Sequence, residues 1–527
     1  AFQGLGNNLF WGDEGSTALA AKSFLRHGKV AGWEVPWDGH NYNTAYTSRF
    51  ADTRVTTVDL QLDKFVAAAW FRIFGASTVS GRLPFVLFGL AALAVFWLLV
   101  REMFPASRAL RWYAFLLVAF SYSFLLSIRQ CQYYALVLFF AVLSYFLYRR
   151  FLRTRRLLLL MPLVLSLVLL FYSQYLLGAC FCVALGVTHL AFHAGDFTKK
   201  EWAYVLGTAA VFAVLTGTYV LRTTAWFQPQ MGVEGNTLFE KFGLVFLNLR
   251  ELDLAGYLPG LVLAALGLFA WRYRTKAFFP SLVFEVLCFI GIYVVMLSLL
   301  SPQPVEWEKL ERGLADIRYM IALLPLCACV VAAFLYMVHR GFGAVAASIL
   351  LVVLLSANAL SFNLRRGTMR WLLPAYLKEI HVDYTTPYEA VVDYLRAHAT
   401  PADTVFVTPE YTHLSLLFYL SDSLTLGGGL NRHPYYPVEK LEGLGVPVFK
   451  EDYFPTVLIC FGRTRYSLQT VQFFSRGAYE YVMKQRLNVY YKDMTRPELP
   501  WHSFGPVKRY NPATDAIYVF ARRPKNP

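Results

Sequence analysis

Charged side chains are scarce in this chain of 527 residues: Asp, Glu, Lys and Arg make up 16% of it, while 57% is hydrophobic and 17% aromatic. Soluble chains carry about a quarter charged residues, so the deficit excludes a protein surrounded by water on all sides. Cysteine is scarce too, and six of the seven (Cys131, Cys180, Cys182, Cys288, Cys327, Cys329) fall in or beside apolar runs, which excludes a disulfide framework. No His-Glu-x-x-His and no paired Cys-x-x-Cys occurs, so no metal ligand set is assigned. The Gly427-Gly428-Gly429 run lacks the Lys-Ser/Thr of a P-loop and the spacing of a dinucleotide fingerprint, and reads as a flexible turn. Acidic residues number 34 against 49 basic ones, a formal charge of +15. A nucleic-acid partner would need that charge on one face of a soluble module. Here it lies in short loops between apolar runs, and nucleic acid is excluded as a partner.

What the chain has in abundance is apolar length. A helix needs about 20 mostly apolar residues to cross the hydrocarbon core. Runs of that order stand at 83–103, 110–126, 131–148, 157–172, 174–192, 202–221, 254–271, 278–300, 317–338 and 343–362, ten in all, with the stretch 157–192 divided at Ser173-Gln174. The expected fold is therefore a polytopic α-helical membrane protein. Alternate loops carry Arg108 and Arg111; Arg149, Arg150, Arg153, Arg155 and Arg156; Lys199 and Lys200; Arg272, Arg274 and Lys276; and Arg340. By the positive-inside rule those loops are cytoplasmic, and residues 1–82, the intervening loops and everything after 362 face outward. Ala1–Phe10 is too short to span and has no charged n-region, so a further helix before residue 1 is expected to bring 1–82 across the bilayer.

After Phe362 the composition shifts toward charge, Pro, Gly and Tyr. A helical stretch at 388–395, a strand at 404–408, a helix at 414–420 and strands at 456–460 and 516–520 predict an extracytoplasmic α/β domain. The chain divides accordingly into a first extracytoplasmic loop (1–82), a transmembrane domain (83–365) and the α/β domain (366–527).

Candidate chemistry gathers in the outward segments. Asp13 and Glu14 open a helix, where its dipole favours negative charge. Arg129 stands between two spans among Gln130, Gln132, Tyr133 and Tyr134, and Arg318-Tyr319 repeats the arrangement at a later span. A carboxylate can take the proton of an attacking hydroxyl, and cations can neutralise a phosphate leaving group as its charge develops. Lys64, Arg72 and Arg82 are further outer cations, Lys64 being the best placed as a phosphate donor; His40 is a weaker candidate for contacting substrate. Each has a plainer reading, as a helix-terminal acid or a head-group anchor.

Taken together, Trp11-Gly-Asp-Glu14, Phe71-Arg-Ile-Phe-Gly75, Ser80-Gly-Arg-Leu-Pro84, Ser127-Ile-Arg-Gln130 with Tyr133-Tyr-Ala-Leu136, and Arg318-Tyr319 with Leu324-Pro325 resemble the motifs of the GT-C glycosyltransferases. The nearest branch is that of protein O-mannosyltransferases and lipid A aminoarabinose transferases, over about residues 5–365. The resemblance implies a polyprenyl-phosphate-linked sugar donor and a lipid or protein hydroxyl as acceptor. It makes Asp13 the catalytic carboxylate, Glu14 its catalytic neighbour in acceptor or water positioning, and Arg129 and Arg318 donor-phosphate contacts, to which the reading of the residues adds Lys64. Gln130, Tyr133, Tyr134 and Tyr319, with His40 as the weaker candidate, stand as substrate contacts. No cofactor is implied with certainty, and a divalent cation stays open. Departures exist: Val58-Asp-Leu-Gln-Leu62 replaces a His-Pro-Pro-Leu-like segment, Tyr133-Tyr134 stand near an acid of some relatives, and Gln174 replaces a histidine. The leading expectation is a sugar transferase of the cell envelope, embedded in a bacterial inner membrane among its lipids. The alternative is a catalytically silent subunit of the same fold, a scaffold or lipid-binding partner in a membrane complex.

Overall fold

A computed structural model of the chain describes residues 2–27, 33–34, 41–42, 61–227, 238–254, 260–267, 281–301, 317–356, 371–381, 385–408, 412–420, 424–428, 454–462, 465–475, 478–489 and 516–525. Two compact units form: Phe85–Leu377 makes one, and Phe2–Pro84 joins Lys378–Arg496 and Trp501–Pro527 in the other. The helices α1 (Gly12–His27) and α2 (Leu62–Phe74) belong to the second unit, and α3 (Thr78–Met103) carries the chain out of it.

The first unit is a helical bundle, and the protein is an integral membrane protein. Beside α3, the helices α6 (Tyr134–Thr154), α8 (Tyr175–His193), α9 (Lys199–Phe227), α11 (Ser281–Leu300) and α12 (Leu324–Ser356, extended by the turn before it) are long and apolar enough to cross a bilayer. That makes six among the described residues, or seven with the bent pair α4 (Arg108–Ala119) and α5 (Tyr122–Ile128). The difference from ten has local causes. α7 (Leu160–Ser173) has 14 residues, about 21 Å of helix, short of the hydrocarbon core. The runs 317–338 and 343–362 are two helices that join at Gly343, whose φ of 90° no helix tolerates, and α12 counts both as one. The run 254–271 lies partly outside the described residues, and so does α10 (Leu238–Leu254) at its following turn.

The expected division at Ser173-Gln174 is present because Gln174 turns extended and its side chain accepts the Leu176 N–H at 3.1 Å, capping α8. Gly178 then lets α8 close on α7, since a Cβ there would lie 2.5 Å from the Phe171 Cα. α7 buries Leu160, Leu163, Leu167 and Leu170 yet exposes Met161 and Leu165. A helix apolar all round is one that has hydrocarbon on its outer side.

The second unit contains a five-stranded sheet. β1 (Thr404–Thr408) runs parallel to β2 (Thr425–Gly428) and to β3 (Val457–Phe461). β5 (Ile517–Pro524) then pairs antiparallel with β3 and with β4 (Tyr479–Leu487), giving the order β2-β1-β3-β5-β4. Period-two alternation splits the core: Val405, Val407 and Ile459 face one side, Phe406 and Leu458 the other. On the first side lie α14 (Pro387–His398) with Val391, Val392 and Leu395, α15 (His413–Leu420) with Leu416, Leu417 and Leu420, and Leu19 of α1 with Trp11 just before that helix. Phe474 of α16 (Arg465–Phe474) covers the second. α1 is thus part of the core of the α/β unit. The glycine run departs from its reading as a turn: Gly427 and Gly428 pair with Phe406 and Val407 in β2, an end strand whose ladder needs only backbone. α13 (Leu372–Glu379) precedes the sheet, with Tyr376 buried in the first unit.

α1 meets α15 at Gly15, where a Cβ would come within 2.7 Å of the Ser415 backbone. Gly15→Ala is expected to destabilise the second unit by about 1–3 kcal/mol through overpacking, read as a lowered thermal midpoint in detergent. Gly186→Ala, with open space around its Cβ, is the matched control and is expected to leave the midpoint unchanged.

Candidate active site

In the second unit, α1 begins at Gly12 with Asp13 and Glu14 in its first turn. Glu14 Oε2 accepts from the Trp11 N–H at 3.4 Å, half of a capping box. Glu14 is wholly buried and Arg82 is 4% exposed. Arg82 Nε donates to Glu14 Oε1 at 2.8 Å and Nη2 to Oε2 at 2.6 Å, a two-pronged ion pair. Its Nη1 donates to the carbonyls of Leu5 (3.0 Å) and Asn8 (2.8 Å), and Nη2 also to Leu9 (3.2 Å). All five guanidinium N–H groups are thereby used. The Phe10 ring lies 5.4 Å from the guanidinium carbon.

Asp13, one position earlier, is half-buried. Next to this pair in sequence, Thr17 donates to Asp63 Oδ2 at 3.2 Å, and Asp63 Oδ1 accepts the Lys64 backbone N–H at 2.9 Å. Asp63 is fully buried and Lys64 is buried as well. Arg72, on the same helix, is exposed. His40 lies outside the described residues.

In the first unit, the span read at 110–126 is broken. Phe120 ends α4, and Ser121 caps α5 by accepting the Phe124 N–H. α5 ends after two turns at Arg129, whose N–H reaches Leu126 O, and the chain stays non-helical until Tyr134 opens α6. Gln130, Cys131, Gln132 and Tyr133 are nevertheless buried, and Arg129 is half-buried. Backbone that leaves the helix needs partners for its polar groups, and here protein surrounds it. The Tyr133 and Tyr134 rings meet edge to face at 4.6 Å. Arg318 Nη1 donates to the Tyr134 hydroxyl at 3.2 Å, joining motifs 184 residues apart. The Tyr319 carbonyl accepts from the Tyr293 hydroxyl at 3.0 Å, which ties the Arg318-Tyr319 turn to α11.

Sequence reasoning named these cations and tyrosines but missed the pairing of Arg82 and two further residues, Thr17 and Asp63. Arg82 was one outer cation among several; its pairing with Glu14 needs contact across 68 residues, and the only sequence signal is its place in Ser80-Gly-Arg-Leu-Pro84. Thr17 and Asp63 carried none. Among the described residues, no group of three or more His, Cys, Asp or Glu is arranged to hold a metal ion.

A family model of dolichyl-phosphate-mannose-protein mannosyltransferases matches residues 62–219. Two solved structures of ArnT from Cupriavidus metallidurans are similar in fold. The apo form gives a TM-score of 0.53 at 15% identity, covering 89% of this chain and 91% of that one. The form bound to undecaprenyl phosphate gives 0.52 at 14% identity, covering 98% and 95%. No curated protein matches the chain. The family match and the shared fold bear out the resemblance to the GT-C superfamily of membrane glycosyltransferases.

Because Glu14 and Arg82 are buried together, removing either leaves an uncompensated charge. Arg82→Ala is expected to cost about 3–5 kcal/mol, seen as a large drop in thermal midpoint, while Arg72→Ala on the exposed face is expected to change it little. Equal midpoints for the two variants would remove the structural role given to this pair.

Proposed function

We propose that this membrane protein of GT-C fold transfers a sugar from a polyprenyl-phosphate-linked donor to a hydroxyl of a lipid or protein acceptor on the extracytoplasmic face of a bacterial inner membrane. Asp13 acts as base. It takes the proton of the acceptor hydroxyl as that oxygen bonds to the anomeric carbon, and the bond from that carbon to the phosphate oxygen breaks with inversion. The leaving polyprenyl phosphate keeps the electron pair, and Arg129, Arg318 and Lys64 offset its charge. Glu14 serves the base by position: held by Arg82, it fixes the first turn on which Asp13 stands. Gln130, Tyr133, Tyr134 and Tyr319 contact substrate, and His40 is carried as a further contact.

The observation that supports this reading most directly is the Arg318–Tyr134 hydrogen bond beside the buried, non-helical segment after Arg129. A guanidinium carries its charge throughout the physiological range, as a phosphate contact requires. The ArnT structure with bound undecaprenyl phosphate has a similar fold and supports the donor class.

Mass spectrometry of envelope glycolipids and glycoproteins tests the proposal, comparing cells with the native gene, its deletion, and Asp13→Asn at matched protein levels. One sugar increment is expected to vanish in the deletion and to fall by about 10²–10⁴ in Asp13→Asn, the range of general base catalysis. Tyr134→Phe, which removes one hydrogen bond to a charged group, is expected to lower transfer by about tenfold. A deletion effect without an Asp13→Asn effect overturns the base assignment, and an unchanged profile in both favours the silent subunit.

A further inference from the structure

At the end of the bundle that carries Arg149 to Arg156, α6, α7, α8 and α9 enclose a partly open cavity of about 190 Å³ that the transfer reaction does not use. It is almost wholly apolar, with Leu163, Leu167, Gly186 and Ala209 in its wall. Gly186 is informative, since a Cβ there would meet nothing within 4 Å: the wall is left open on that side. A cavity of about 150 Å³ with aliphatic walls takes up a benzene, so this one has room for a stretch of hydrocarbon chain.

One end of the cavity is polar. His189 lines it and is 6% exposed; its Nδ1 lies 3.2 Å from the Tyr148 hydroxyl, and its Nε2 has no hydrogen-bond partner among the described residues. An unsatisfied ring nitrogen so deeply buried calls for a partner. Beside it, the Phe197 ring packs 4.7 Å from the His189 ring and carries the Arg155 guanidinium at 4.1 Å on its face. Arg155 Nη1 is likewise buried and without a hydrogen-bond partner among the described residues. Of the neighbouring charges, Arg149 pairs with Glu285, Arg153 with Glu102 and Asp196 with His193, and Glu201 accepts from Thr198.

The cavity also has a direction. Tyr148 and Phe151 lie in the last two turns of α6 and His189 in the last turns of α8, at the loop end, whereas Thr208, Ala209 and Phe212 lie well inside α9. From Lys199 to Phe212 is about 20 Å of helix. The outer faces of α7 and α9 are apolar and exposed at Met161, Leu165, Leu206 and Val214, so membrane hydrocarbon surrounds the opening.

We propose that this cavity holds one acyl chain of an anionic phospholipid from the leaflet at the Arg149–Arg156 end. The chain lies among α6 to α9, the His189 Nε2–H donates to the ester carbonyl while Tyr148 donates to Nδ1, and the phosphate sits beside Arg155. The order of polar head, ester and chain in such a lipid matches the order of Arg155, His189 and apolar wall.

Native mass spectrometry of the delipidated full-length protein tests this with dioleoyl phosphatidylglycerol and dioleoyl phosphatidylcholine as separate probes. One phosphatidylglycerol is expected to be retained, several-fold better than phosphatidylcholine. Gly186→Leu fills the open space with hydrocarbon, and retention is expected to fall by about tenfold with the thermal midpoint unchanged or raised. Ala209→Leu fills the same cavity from α9 and serves if Gly186→Leu does not fold. His189→Phe is expected to reduce retention several-fold. Undiminished retention in the filled variants places the lipid elsewhere and overturns the proposal, as does equal retention of the zwitterionic lipid.

Discussion

The second unit depends on one buried ion pair. Arg82 closes on Glu14 with two N–H groups and on the carbonyls of Leu5, Asn8 and Leu9 with the remaining three. The loop before α1, the first turn of α1 and the beginning of α3 are fixed by a single guanidinium. A buried ion pair is a poor source of net stability, because desolvation offsets most of the Coulomb gain. What it supplies is uniqueness: lysine, with three donors on a flexible stem, could not satisfy both carboxylate oxygens and three carbonyls at once. Asp13 inherits its position from this arrangement, since it precedes Glu14 in the same helical turn and is left half-buried.

The pair also explains why α1 is no mere juxtamembrane loop helix. Trp11 and Leu19 lie in one core with Val391, Val405, Leu416, Ile459 and Ile517, which come from the last third of the chain. The Phe10 N–H donates to the Tyr419 hydroxyl, which also shares a hydrogen bond with Thr78. The tyrosine is half-buried, and desolvation of its hydroxyl raises its pKa, so it stays a neutral donor and acceptor throughout the physiological range. Removing 383–527 would therefore strip the apolar partner surface from the helix that carries Asp13.

The membrane class, the helical bundle and most sheet elements were legible because each rests on local pattern. Apolar length reports spans, and short apolar runs rich in β-branched and aromatic residues report β1, β3 and β5. β4, Tyr-Glu-Tyr-Val-Met-Lys-Gln-Arg-Leu, was not legible, because most of this end strand is exposed and carries no alternation. The break at Phe120 was hidden for a related reason: hydropathy averages over a turn, while a break is the conformation of one residue. Asp13, Arg129 and Arg318 could be named from type and context, but not the contact of Arg318 with Tyr134 or of Glu14 with Arg82, which only tertiary folding creates.

The segment from Phe120 to Tyr134 shows how the fold departs from the simplest solution. A continuous helix satisfies every backbone group within a membrane, and nothing in Tyr122–Ile128 forbids one, since no proline or glycine interrupts it. Instead the chain bends by 52° between α4 and α5 and leaves the helix again after Ile128. Ser121 compensates at the first break by accepting the Phe124 N–H, and the Gln130 N–H reaches the Ser127 carbonyl at the second. The segment is held by burial of Phe124, Leu126, Ile128 and Cys131, and it sets Arg129, Gln130, Gln132 and Tyr133 in sequence on non-helical backbone, with Tyr134 reaching Arg318. Strain and irregularity of this kind concentrate where a chain must present groups that a regular helix would spread around its axis.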